Sequence, residues 1–297
     1  LLVTSSRVVL EGFTMTDTKG DAIKAISVQD LTIRNVHIRW SGEPRSSNGG
    51  YGLYPVKSEN ILIEGCDVSG ASDAGVYVGQ SRNVIVRNNV AHANVAGIEI
   101  ENTIGADVYN NYAYDNTAGL LVFNLPDLSQ QGFGTRIFDN VLVDNNRANF
   151  APAINVVADA PRGTGLMLLA AKQIEIFDNY ISNNDTTNVL LVHYGITGRP
   201  VRDPSYDPYS EGILLHDNRI LRAGRDPQGG SSDMSQSTIR ALREILPTPF
   251  PDLIYDGSYN PVFGKPTEIP ADRRICVRED KALRVINLDL PHDGQGM

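Results

Sequence analysis

Four segments decide the fold: ADVYNNYA (106–113), TRIFDNVL (135–142), IEIFDNYI (174–181) and ILLHDNRI (213–220). In each, an aliphatic anchor (Val108, Ile137, Ile176, Leu215) is followed three residues later by Asn. Toward the N-terminus, VVLEGFTM (8–15), LTIRNVHI (31–38), ILIEGCDV (61–68) and VIVRNNVA (84–91) align with them without gaps, anchored at Leu10, Ile33, Ile63 and Val86. The anchors are separated by 23, 30, 23, 22, 29, 39 and 39 residues. A unit of 22–23 residues fits three short strands and three turns per coil, with longer coils carrying insertions. A leucine-rich repeat has a similar period, but its Leu and helix pattern is missing. The reading is an all-β, right-handed parallel β-helix of about eight three-strand coils.

Successive strand residues point to opposite faces, so alternation assigns an inside and an outside. The inward column three residues past the anchor runs Phe13, Val36, Cys66, Asn89, Asn111, Asn140, Asn179, Asn218. Five consecutive Asn predict a stacked ladder in which each amide bonds its neighbours a coil away, at a corner that can demand left-handed backbone. A second column follows at Asn94, Asn116, Asn145 and Asn184. The third strand is read in GVYVGQS, GIEIENT, GLLVFN, GLMLLAA and NVLLVHY. At about 4.8 Å per coil, eight coils make a rod of about 38 Å.

Four insertions, 41–51, 147–165, 124–134 and 194–212, emerge at the two borders of the third strand, and they predict a groove along its outer face. The repeat is expected to span 1–224. Residues 225–297 then form a cap whose helix (235–246) ends at Pro247 and Pro249 and whose strand-like pieces are 274–277 and 283–288. The chain begins inside a strand-like segment without Met, so further N-terminal coils and any signal or lipid anchor are expected upstream.

A formal charge of −9 over 297 residues argues against nucleic acid or an anionic membrane as partner, because phosphate binding needs a basic footprint. No apolar run approaches the roughly 18 residues of a membrane span. Cys66 lies on an inward column and reads as a buried free thiol rather than half of a disulfide with Cys276.

The stretches DTKGDAIK, YGLYPV, IEGCDVSGASDAGVYVGQSRNVIVRNN, VAGIEIEN, NFAPAINVVADAPRGTG and YDPYSEG, over about 5–220, resemble an exported bacterial family of parallel β-helix repeat proteins. Members carry export or lipoprotein signals and are encoded beside a second exported family with c-type-cytochrome-like features. The resemblance therefore implies an extracytoplasmic location and an exported, cytochrome-like partner protein; it brings no activity. More distantly, the repeat resembles the carbohydrate-binding and sugar-hydrolase repeats of alginate epimerases and the copper-maturation β-helix of nitrous oxide reductase.

Two functions are expected. The first is a non-catalytic binder of that partner or of a polysaccharide. The second is a lyase or C5-epimerase acting on uronate polymers. The outward column of the third strand reads Lys24, Tyr54, Tyr77, Glu99, then Leu121, Met167, Leu190. Its polar half could remove a proton beside a uronate carboxylate and neutralise the resulting charge, or be an ordinary solvated face with cross-strand pairs. Arg87 and His92, with Asp67, are further acid–base candidates. The outward column beside the first ladder alternates Glu11, Arg34, Glu64, Arg87 and continues Tyr109, Phe138, Phe177, His216. The charges predict an ion-pair ladder. The aromatics predict either a stacking strip for sugars or a partner, or, with more weight, a surface covered by the C-terminal helix. Asp139, Asp178 and Asp217, one per coil, are calcium candidates against a turn reading; no other cofactor is expected. The histidines show no zinc spacing, and Pro291-His292-Asp293 lies off the repeat.

Overall fold

The structure, a computed structural model, describes residues 1–290. It is a right-handed parallel β-helix with three parallel sheets. The first sheet carries the anchors and runs through nine strands, Val8–Glu11 to Ile275–Arg278; the second has eight, Thr14–Thr16 to Arg219–Leu221. The third has ten, Leu2–Val3 to Val285–Asn287. The ladders run past Gly224: Leu253–Tyr255 and Val285–Asn287 extend the third sheet, and Ile275–Arg278 extends the first. The tail expected to lie outside the repeat therefore continues it. His292 lies outside the described residues.

Inward aliphatics fill the bore. Leu31, Ile33, Ile63, Val86, Val108, Ile137, Ile176 and Leu215 are buried, each over its counterpart one coil away. The first Asn ladder forms as read. The Nδ2 of Asn89, Asn111, Asn140 and Asn179 donates to Oδ1 of the next Asn at 2.8–3.0 Å. The last of them, Asn218, donates to Glu279 Oε1 at 2.6 Å. The left-handed residue sits one position earlier than expected: Asn88, Asn110, Asp139, Asp178 and Asp217 have φ of 54–57°. Asn and Asp tolerate that conformation best among residues with a Cβ. This explains the three aspartates as corner residues. Among the described residues, no group of three or more His, Cys, Asp or Glu could hold a metal ion, so the calcium candidates find no supporting site.

The second ladder runs Asn94, Asn116, Asn145, Asn184 and passes to Asn188 Oδ1, whose own Nδ2 reaches Asp252 Oδ1. Each ladder amide fits because the facing third-strand residue is glycine. A Cβ on Gly97 or Gly165 would sit 2.9 or 2.7 Å from the Asn116 or Asn184 Nδ2. Asn188 occupies the glycine position in the next coil, and there the ladder turns aside.

The outer face of the third sheet carries a second apolar cluster. Leu121, Met167, Leu190 and Ile254 are buried under Val157 and Ala158 of the 144–163 insertion, Tyr206 of the 193–210 insertion, and Leu242 and Leu246 of the C-terminal segment. The one α-helix among the described residues, Asp233–Ile245, is N-capped by Ser232 and packs here. It does not cover the aromatic strip, as had been expected. Apolar residues on both faces drew the cover to the third sheet, since an amphipathic helix buries its stripe against the largest apolar surface. The expected groove is thus filled over its C-terminal part. Cys66 is buried and both cysteines are free.

Candidate functional site: a buried carboxyl and tyrosine cluster

The filled face and the open face meet at the strands Tyr51–Val56, Ala74–Gly79 and Ala96–Glu101. Lys24 lies beside Tyr54, and Tyr77 beside Glu99, in parallel register. The register thus aligns the predicted column. Tyr77 and Glu99 are only 4 % and 3 % exposed, however, so the solvated-face reading fails for both. The cluster also contains residues that the column did not include. Glu101, two residues past Glu99 and on the same face, accepts the Tyr77 phenol at 2.6 Å. Asp73 accepts the Asn155 amide at 2.7 Å, and the Tyr51 phenol also supports its charge. Tyr51, Tyr54 and Tyr77 pack as a triad with centroids 4.4–4.9 Å apart, and the Lys24 ammonium sits 4.3 Å over the Tyr54 ring.

Gly79 makes the Tyr77–Glu101 bond possible. The Tyr77 ring lies across the position that a Cβ on Gly79 would fill, close to its hydroxyl and Cε1. Gly79→Ala is expected to swing the phenol off Glu101 and destabilise the chain by about 1–3 kcal/mol. Thermal melts at pH 7, set beside those of Gly20→Ala, whose surroundings are open, check this.

Three carboxyls in one desolvated patch cannot all ionise cheaply. Burial holds all three above the ordinary range, helped by the charge of Asp21 at Asp73 and by that of Asp73 at Glu99 and Glu101. Burial pushes Asp73 up to about 7 against the help of Asn155 and Tyr51, and Glu101 up to about 7 against that of Tyr77. Glu99 has no such help. Its Oε2 is buried without a hydrogen-bond partner, and burial, with the charges of Asp73 and Glu101, holds its carboxyl well above the usual range. Burial and the neighbouring acids likewise keep the Tyr77 phenol protonated. The cluster thus combines two acids raised to about 7, a third carboxyl raised well above its ordinary range and a buried phenol, and Lys24 stands at its edge.

The other candidates fall elsewhere. Arg87 lies on the first sheet, bonded to Glu64 at 2.7 Å and to the Tyr109 hydroxyl at 2.9 Å. With Arg34–Glu11 it forms the expected ion-pair ladder. His92 lies on the second sheet, 3.3 Å from Asp67. Neither reaches Tyr77 or Glu99. Tyr109, Phe138, Phe177 and His216 stack face to face along the rod, with centroids 4.7–5.4 Å apart and planes within 9°. Their faces cover one another and their edges point outward, which is not the geometry for stacking a sugar ring.

The signal for Glu101 was present: strict period 2 puts it on the face of Glu99. Asp73 lies in the turn before its strand, Ala74–Gly79, where alternation gives no signal. Asn155 comes from an insertion and had no periodic signal. Arg199 fixes that insertion, donating to Asp159 Oδ2 at 3.1 Å, the Ile154 carbonyl at 2.9 Å and the Asn155 carbonyl at 3.0 Å.

Fold and site together define a parallel β-helix repeat protein with an acidic centre built on one sheet. The family described as a right-handed beta helix region matches residues 1–129. Among solved structures, a double mutant of the periplasmic alginate epimerase AlgG is 15% identical with a TM-score of 0.49, covering 71% of this chain and 48% of its own. The A-module of Azotobacter vinelandii mannuronan C-5 epimerase AlgE4 is 18% identical with a TM-score of 0.45, covering 75% and 69%. The chain spans about half the length of the AlgG chain it matches, and the likeness is one of fold. No curated protein matches the sequence. No helix among the described residues is long and apolar enough to cross a membrane.

Proposed function

We propose that this chain is an extracytoplasmic polysaccharide-modifying enzyme that moves the proton on the carbon beside a uronate carboxylate, by elimination or epimerisation. The observation that supports this best is Glu99, a buried carboxyl biased by burial toward its neutral form with one oxygen unpartnered, beside a Tyr77–Glu101 pair and Asp73. A neutral carboxylic acid can donate to the substrate carboxylate and stabilise the charge that develops when the adjacent carbon loses its proton. Asp73 or Glu101, titrating near 7, takes that proton. The Tyr77 phenol supplies the opposite proton. In elimination it protonates the departing glycosidic oxygen as the C–O bond breaks and the double bond forms. In epimerisation it protonates the carbanion from the other face. Lys24 adds a cation at the mouth. Tyr54, held only by ring contacts and Lys24, is the cover that must rotate aside.

The test is a panel of alginates and pectins, read by ultraviolet absorbance of unsaturated uronate and by NMR of the polymer. Turnover is expected to rise with pH through about 7, as Asp73 and Glu101 lose their protons, and to fall about 100-fold or more in Glu99→Gln. Absence of turnover across the panel overturns the proposal. It would leave the chain as a binder of an exported partner, the other function expected from the sequence.

A further inference from the structure

We infer that this chain binds a neutral oligosaccharide at the corner where the third sheet turns into the first. The site shares no residue with the acid and tyrosine cluster, and binding there does not depend on turnover at Glu99. Three stretches distant in sequence meet at the first residues of the strands Phe133–Phe138, Lys172–Phe177 and Glu211–His216. They are the end of the 124–132 insertion, the end of the 193–210 insertion and the turn Ala271–Arg273 of the tail. Between them lies a cavity of about 270 Å³.

The charges in its wall answer one another. Lys172 Nζ lies 2.9 Å from Asp207 Oδ2 and 3.6 Å from Glu211 Oε1, and Arg273 Nη1 donates to Glu211 Oε2 at 3.1 Å. The Lys172 and Glu211 side chains are only 14 % and 9 % exposed. Burying such a network stabilises a corner no better than apolar packing does, so it points to recognition rather than to folding. Neither the Lys172 ammonium nor Glu211 Oε1 makes a directed hydrogen bond among the described residues. A ligand hydroxyl, donor and acceptor at once, supplies both after a small rotation of the lysine stem. Asp207, Glu211 and Asp272 outnumber the two cations, which disfavours an anion such as a uronate.

Phe133 adds the apolar contact. It is 45 % exposed, and among the described residues no ring stacks on it, in contrast to Tyr109, Phe138 and Phe177. An open aromatic face beside the amides of Gln131 and Gln173 matches a pyranose, which has an apolar C–H face and a rim of hydroxyls. Past the Glu211–Arg273 pair a second cavity of about 240 Å³ shares both residues, with Phe263 in its wall 5.7 Å from the Arg273 guanidinium. Either cavity alone falls below the roughly 300 Å³ at which small-molecule sites begin, whereas the two together exceed it. The ligand is therefore at least two sugar units long.

Isothermal titration of the whole chain tests this with mono-, di- and hexasaccharides of glucose, mannose and galactose, beside hexasaccharides of mannuronate and guluronate. At least one neutral series is expected to bind, more tightly as disaccharide than as monosaccharide, with the uronates about tenfold weaker or more. Phe133→Ala should lower that affinity about tenfold, and Gln131→Ala several-fold, with melting temperatures close to the parent's. Tyr112→Ala, which removes a 42 % exposed aromatic from the second sheet, and Glu99→Gln should leave it unchanged. Lack of binding by every neutral sugar, equal affinity for mono- and disaccharide, uronates bound as tightly, or full affinity in both Phe133→Ala and Gln131→Ala overturns the inference.

Discussion

Glu99→Gln is expected to melt higher than the parent chain at pH 8 and to differ little from it near pH 4. The carboxyls of the cluster have folded-state pKa values above their unfolded ones, from 4.5 to about 7 for Glu101 and from 3.8 to about 7 for Asp73. Between those limits the folded chain binds more protons than the unfolded one, so stability is full below pH 4 and falls as pH rises to 7. The displacement of Glu101 alone amounts to roughly 3 kcal/mol across that window. Glu99, buried and held well above its ordinary range, is a group whose neutral replacement relieves part of this penalty without cutting a hydrogen bond at its Oε2. A gain of about 1–3 kcal/mol at pH 8 corresponds to several degrees in a chain of this size. Melts at pH 4 and pH 8 decide the matter. A lower melting temperature at pH 8 would show that the carboxyl stabilises the fold. A stabilising substitution that abolishes turnover would mark the cluster as one retained for chemistry at the expense of stability.

The largest loss is expected at the middle of the first ladder. Asn140 accepts from both the backbone N–H and the Nδ2 of Asn111 at 3.0 Å and donates to the Val108 and Phe138 carbonyls and to Asn179 Oδ1 at 2.9–3.0 Å. Asn140→Ala strips partners from buried groups on both sides, each costing about 1–3 kcal/mol, so a total on the order of 4 kcal/mol or more follows. Asn218→Ala, at the partly buried end of the ladder, should cost less than half as much. Urea unfolding of the two variants measures the difference. Equal midpoints would mean that the ladder does not act as a continuous element. Coils contact only their neighbours, so a break at Asn140 should also broaden the transition.

The bore was legible in the sequence because period-2 alternation and the Asn spacing recur in every coil. Leu121, Met167 and Leu190 follow Glu99 on one outward column, and apolar residues there already signalled a covered face. What covers it was not legible, since insertions obey no period and their docking depends on tertiary packing. For the same reason the helix was read within two residues of its bounds but assigned to the wrong face. Tyr77 and Glu99 were found by column; Glu101 shares their parity but was overlooked; Asp73, in the turn before its strand, and Asn155 and Arg199, from insertions, carry no periodic mark. Arg87 and His92 were grouped with the site by chemical type, although the register places them on other sheets.

The two amide ladders share an orientation. In each amide-to-amide bond the Nδ2 donates to the Oδ1 on its C-terminal side, so the carboxamide dipoles add head to tail along the rod, with their positive pole at its last coil. Each array stops on an acidic side chain, Glu279 for the first and Asp252, through Asn188, for the second. The tail therefore serves as an electrostatic terminator as well as a steric one. A rod of this kind has a direction: coils could be added or removed upstream of those two acids without disturbing polarity, whereas an extension beyond them would have to carry the anionic ends along.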